Sequence, residues 1–151
     1  MAFTTENPWV AGRAPVPTQT DTNVSAPRFV QQMAVADSAA SNVGVLGILP
    51  AGMTPALPML VDTSGLGGSA AISIGILDEA TGDLSTKAED GGAVWAEAVA
   101  VGSAAVKQVE ATAALLAVQP AQVDRWIAVK FSTQGSAAGT LGLTVPYRSP
   151  N

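Results

Sequence analysis

The stretch Ile72-Ser73-Ile74-Gly75-Ile76-Leu77-Asp78 decides the fold. Its isoleucines alternate with Ser73 and Gly75, and a side-chain period of two puts the β-branched groups on one face of an extended strand and small residues on the other. That is the pattern of a half-buried sheet. Two earlier runs, Ile48-Leu49-Pro50-Ala51-Gly52 and Leu60-Val61-Asp62, repeat the theme of short apolar strands parted by Pro/Gly turns.

Working outward, residues 28–36 carry Phe29, Met33 and Val35 at even spacing, residues 37–42 form a polar turn, and Val43, Val45 and Leu49 are in phase along 43–49. Residues 50–55 are dense in turn formers. Leu57, Met59 and Val61 then alternate with Pro58, Leu60 and Asp62, and Pro58 implies an edge strand or a bulge. Residues 64–69 read as a glycine-rich loop and 79–85 as a second loop. Further on, Ile127, Val129 and Phe131 alternate with Ala128 and Lys130, while Leu141, Leu143, Val145 and Tyr147 alternate with Thr140, Gly142 and Thr144. These two strands are expected to form a hairpin around residues 133–139. The Ala-rich segment 87–119 mixes helix-forming alanines with valines, and the expectation there is a short helical turn near 94–101 followed by a strand within 106–118.

Residues 1–27 differ in kind. Pro8, Pro15, Pro17 and Pro27 stand among Thr, Asn, Gln and Gly. Proline removes amide donors and biases its predecessor toward extended backbone, so the segment reads as an extended arm that reaches at most about 90 Å. Phe3, Trp9 and Val10 are its candidate partner-binding residues, because large apolar groups in a polar segment usually have a surface to dock on. Residues 28–151 are left as one β domain, a size that supports a single core.

Composition excludes more than it identifies. Charged residues make up 13% of the 151 residues, about half the usual ~25%, which suits either a lightly charged monomer or a surface covered by neighbouring subunits. The net charge of −5 and seven scattered Lys and Arg argue against nucleic-acid binding, which depends on clustered cations. With neither cysteine nor histidine, disulfides, thiolate metal sites, Ser-His-Asp and Cys-His catalysis and the usual zinc and haem ligand sets are not available. No run of ~18 apolar residues suggests a membrane span, and no basic-then-apolar order suggests a signal peptide.

Several short patterns have a plainer alternative reading. Gly65-Leu66-Gly67-Gly68-Ser69-Ala70 has the spacing of a dinucleotide loop, but a strand rather than a helix follows it. Asp78, Glu79 and Asp83 do not match a calcium-loop spacing and suit a solvated turn. Asp62, Asp78, Asp83, Glu89, Asp90, Glu97, Glu110 and Asp124 offer carboxylates for glycoside chemistry, as any acidic chain does. Asn23-Val24-Ser25 fits a glycosylation acceptor without a secretion signal. Trp9, Trp95 and Trp126 suit stacking on a sugar or packing in a core or contact. No catalytic, metal or cofactor residue is assigned.

One family resemblance rests on three pieces: Ile48 to Gly52, Leu60 to Asp62 and Ile72 to Asp78; then Asp124-Arg125-Trp126-Ile127-Ala128-Val129; then Ala138 to Arg148. Together these resemble the small head decoration (cement) proteins of tailed bacteriophages and related structural proteins. The resemblance implies a jelly-roll-like antiparallel β-sandwich without catalytic residues. It also implies a homo-oligomer, most often a trimer, that binds the major capsid protein on the capsid surface after synthesis in the host cytoplasm. The alternative from a different class is a carbohydrate-binding or adhesion module on the virion, which would use exposed aromatic side chains.

Overall fold

The computed structural model describes residues 3–4, 7, 10–13 and 24–149. Eleven strands are present among them: β1 (Arg28–Met33), β2 (Val43–Leu49), β3 (Thr54–Pro55), β4 (Leu60–Thr63), β5 (Ala71–Asp78), β6 (Asp83–Leu84), β7 (Ala96–Ala100), β8 (Ala105–Gln108), β9 (Arg125–Thr133), β10 (Gly139–Thr144) and β11 (Tyr147–Arg148). The helical content among the described residues is three short 3-10 turns, Val35–Ser38, Ala88–Asp90 and Ala113–Ala117.

All strand pairs are antiparallel. One sheet runs β1-β10-β4-β8, the other β2-β9-β5 with β6 and β7 both paired to β5, and β3 with β11 makes a two-stranded ribbon at one end. The isoleucines at 72, 74 and 76 are buried, as their alternation requires, and they meet Ile127, Val129 and Phe131 of β9 on the same face. Opposite them stand Phe29 and Met33 of β1, Val61 of β4 and Leu141 and Leu143 of β10, so one core fills the space between two sheets. The expected mainly β, jelly-roll-like sandwich is present. On the outer face of the second sheet Val43, Leu84 and Ala128 form a smaller cluster, covered by Val94 and Leu77.

Four local expectations need correction. The strands β9 and β10 do not form a hairpin: β9 pairs with β2 and β5, β10 pairs with β1 and β4, and residues 134–138 carry the chain from one sheet to the other. Alternation tells which face of a strand is apolar, and both strands point that face into the shared core; it does not tell which edge each one pairs on. Residues 96–100 are strand rather than helical turn, because Trp95 is buried and its amide bonds the Ile74 carbonyl, which delivers the following alanines to the free edge of β5. The strand expected within 106–118 is confined to β8, and Ala113–Ala117 is 3-10 helix. Pro58 precedes β4 rather than lying in it, so β4 sits inside its sheet between β10 and β8.

Candidate functional site

Phe3, Thr4 and Asn7, from the first residues of the chain, lie against β2 and the turn before it. The ladder between β2 and β9 slips between Val45 and Gly47, leaving Leu46 as the extra residue of a β-bulge. A bulged residue has no ladder partner, and the Leu46 carbonyl instead accepts a hydrogen bond from the buried Asn7 side chain, Nδ2 to O 2.8 Å. Gly44, next to Val129 in the ladder, leaves a notch that the Phe3 ring fills; a Cβ on Gly44 would overlap the outer edge of that ring. Phe3 thereby packs against the edge of the main core.

A third anchor is Asp37, which is 1% exposed. Its carboxylate accepts the Thr4 amide at 2.6 Å and the Thr4 hydroxyl at 3.2 Å, and it also accepts the Ala34 amide at 2.8 Å, closing the 3-10 turn. Hydrogen bonds to an ionised acceptor are about twice as strong as neutral ones. One carboxylate therefore joins the turn before β2 to the first residues of the chain.

The three residues expected to bind a partner separate. Phe3 is half-buried on its own domain, Val10 is exposed in a turn at residues 10–12, and Trp9 lies outside the described residues. Asn23 lies outside them too. Trp95 is core, and its indole N–H donates to the Asp90 carbonyl.

Four of the candidate carboxylates are engaged in ion pairs. Asp62 pairs with Arg28 across Gly142, whose missing side chain leaves room for the Asp62 carboxylate. Asp78 pairs with Lys87 at 3.3 Å, Asp83 with Lys130 at 2.8 Å, and Asp90 with Arg125 at 3.0 Å. Asp124 accepts the Ala51 amide. The hydrogen bond from Arg28 holds the Asp62 carboxyl below the usual range, and that from Lys130, helped by the Leu84 amide, does the same for Asp83. Burial pushes the Tyr147 phenol up.

The Asp90–Arg125 pair is the buried one, with side chains 8% and 10% exposed. Ser85 donates to the second Asp90 oxygen at 2.6 Å, and Arg125 donates to the Glu89 and Gln119 carbonyls. The pair forms one wall of a cleft of about 330 Å³ that also includes Asp78, Glu79, Lys87 and Trp126. Asp78 and Lys87, and Asp90 and Arg125, bind each other, and among the described residues no group of three or more His, Cys, Asp or Glu is placed to hold a metal ion. Gly65, Gly67 and Gly68 have positive φ and belong to a loop that leads into β5, which fits a connection and not a phosphate cradle at a helix N-terminus.

Three exposed apolar side chains lie near the β3–β11 ribbon, while Val106 on β8 and Val123, which are more exposed, lie elsewhere. Val24 precedes Ser25, which bridges Tyr147; Leu57 follows β3; and Leu116, 66% exposed, lines a groove of about 460 Å³ with Thr54, Pro55 and Arg148. Asn7, Asp37 and the Leu46 bulge were not singled out from the sequence. The signal available was Gly44 and Gly47 inside an otherwise apolar strand, since strand glycine marks a bulge or a close approach of another group.

No protein-family model and no curated protein matches the chain. Among solved structures, a chain of the one described as "Capsid of Ralstonia phage GP4" aligns with a TM-score of 0.69 at 23% identity, over 93% of this chain and 94% of that one. A chain of "Cyanophage Pam1 capsid asymmetric unit" aligns with a TM-score of 0.54 at 12% identity, over 91% and 92%. At these identities the likeness is one of fold.

Proposed function

We propose that this chain is a structural subunit of a phage virion that decorates the outside of the capsid, binding the major capsid protein lattice as a homo-oligomer, most simply a trimer, and stabilising it. The observation that carries this reading is the likeness of fold, nearly end to end in both directions, to chains of two phage capsid structures. The engagement of the ionised side chains in structural pairs agrees with it, as do the exposed apolar residues around the β3–β11 ribbon. In this reading residues 1–27 are an N-terminal arm to the β-sandwich of residues 28–151, with Phe3, Thr4 and Asn7 lying against that sandwich.

The test is co-sedimentation of the purified chain with shells of the major capsid protein of the phage that encodes it, together with imaging of the native particle. Saturable binding at a fixed copy number on the outer surface, with a raised temperature of shell rupture, is the expected result. A chain that stays in the supernatant with intact shells at micromolar concentration refutes it. Trp126, half-buried in a cleft beside Asp78 and Arg125, favours the second reading, a glycan-binding module on the virion. Retention of the isolated chain on a glycan surface, lost in Trp126→Ala, would establish that reading instead.

A further inference from the structure

A sheet edge presents unpaired N–H and C=O groups, and this fold closes its edges unevenly. On β2 the Asn7 side chain takes the Leu46 carbonyl and Phe3 fills the Gly44 notch. On β1 the Gln31 side chain donates to the Gln32 carbonyl at 3.1 Å. On β6 the Asp83 amide bonds the Thr81 hydroxyl and the Leu84 amide bonds the Asp83 carboxylate. The edge strand β7 carries Glu97 and a bulge opposite Ser73, with Ala98 at φ +50°, and charge and bulges both turn an edge away from pairing.

The edge of β8 is different. It pairs with β4, Leu60 to Thr63 against Gln108 to Ala105, and the Val109 amide continues that ladder by bonding the Met59 carbonyl at 2.8 Å. Backbone groups alternate sides along an antiparallel strand, so Lys107 and Ala105 also bond toward β4, while the N–H and C=O of Val106 and Gln108 face away and bond no described residue. Val106 is 79% exposed, the most exposed large apolar side chain among the described residues. A lysine commonly guards an open edge, but Lys107 shares a face with its buried partner Val61, and its ammonium donates to the Ala100 carbonyl of β7.

We propose that β8 pairs antiparallel with β8 of a second copy about a two-fold axis, joining two four-stranded sheets into one continuous sheet. A two-fold contact matches like with like, and β8 is the edge that a copy leaves open. Side chains set the register. Centred on Val106, each valine covers the other and Lys107 stands opposite Ala105 of the second copy. Shifted so that Val106 meets Gln108, the two Lys107 side chains stand directly opposite, which like charges disfavour. Asp62, beside Val106 on the outer face, brings no unpaired charge to the seam because Arg28 binds it. The pairing goes beyond the reading above: alone it gives a dimer, and beside a three-fold contact it joins trimers to one another.

The experiment is sedimentation equilibrium with amide hydrogen exchange on the full chain and two variants. Val106→Pro removes the outward N–H, which bonds nothing within the copy, and proline is tolerated at such edge positions. Val106→Lys sets two ammonium groups face to face across the axis. The full chain is expected to form even-numbered species at high micromolar concentration, with the Val106 and Gln108 amides gaining protection as concentration rises. Both variants are expected to weaken that association by about tenfold or more while keeping the parent's circular dichroism. Should Val106→Pro not fold, Val106→Lys and the protection of the Gln108 amide decide. A chain that stays monomeric, or one that associates as strongly in Val106→Lys with these amides exchanging freely, overturns the pairing. Protection that appears only on capsid shells overturns it too, because the strand on the edge is then another chain's. Failure of the pairing leaves capsid binding to be decided by co-sedimentation.

Discussion

Replacing Asp90 by alanine isolates the buried charge of this domain. The substitution leaves the Arg125 guanidinium, 10% exposed, without its carboxylate, and Ser85 without its acceptor. Arg125 keeps the Glu89 and Gln119 carbonyls, which are neutral partners, while its Nε is already buried without a hydrogen-bond partner. Removing one member of a buried ion pair costs about 3–5 kcal/mol, because the surviving charge remains desolvated. The cleft beside the pair lets water approach and sets the expected loss near the lower bound, about 3 kcal/mol. Asp62→Ala supplies the contrast: Arg28 is 53% exposed, and a solvated pair contributes about 0–1 kcal/mol. The double variant Asp90→Ala/Arg125→Met removes both charges and is expected to recover most of the loss. The assay is equilibrium denaturation of the four chains of the cycle, Asp90→Ala and Arg125→Met singly and together with the parent, beside Asp62→Ala. A cost for Asp90→Ala no larger than that for Asp62→Ala, or no recovery in the double variant, would refute the claim that burial makes this pair different.

Further outcomes test the packing and the titrating groups. Ile74→Ala, at a fully buried mid-strand position, is expected to cost about 2–5 kcal/mol, and Val129→Asp more because it buries an unpaired charge; unchanged thermal midpoints would contradict the strand phase. Asp62 and Asp83 have folded pKa values below their unfolded ones. Their contribution is therefore present above about pH 4 and lost as the pH falls through the depressed values, so Tm should fall in acid, and less steeply in Asp62→Asn/Asp83→Asn. For Tyr147, the only tyrosine, the folded pKa is raised; stability is full below about pH 10 and declines above it, which ultraviolet difference titration of the folded chain should register as a late phenol ionisation. Ala98 sits at φ +50° within β7, where a β-carbon crowds the backbone, so Ala98→Gly should raise stability by about 0.5 kcal/mol in the same denaturation assay.

The alternation of apolar side chains made much of the fold legible. Ile72, Ile74 and Ile76, or Leu141 and Leu143, can bury one face only as strands, because a period of two is a local property of extended backbone. The bounds of Val43–Leu49 and Arg125–Thr133 were readable to within a residue, but the expected common phase of Val43, Val45 and Leu49 fails at the Leu46 bulge, which leaves Val43 in the outer cluster and Leu49 in the main core. The absence of histidine and cysteine likewise removed whole classes of chemistry without reference to any coordinate. Which strand pairs with which was not readable: β9 and β10 are neighbours in sequence with matching patterns, yet each hydrogen-bonds inside a different sheet, since pairing depends on which edges the rest of the chain leaves open. Alanine in 96–100 favours helix in isolation, and the free edge of β5 overrode that preference. The seat for residues 3–7 lay further from reach. It needs a bulge at Leu46, a notch at Gly44 and a carboxylate at Asp37, three features seven to nine residues or fewer apart that carry no shared periodicity, and only the folded chain brings Phe3, Thr4 and Asn7 to them, because a carbonyl freed by a bulge becomes a binding group only once the ladder around it has formed.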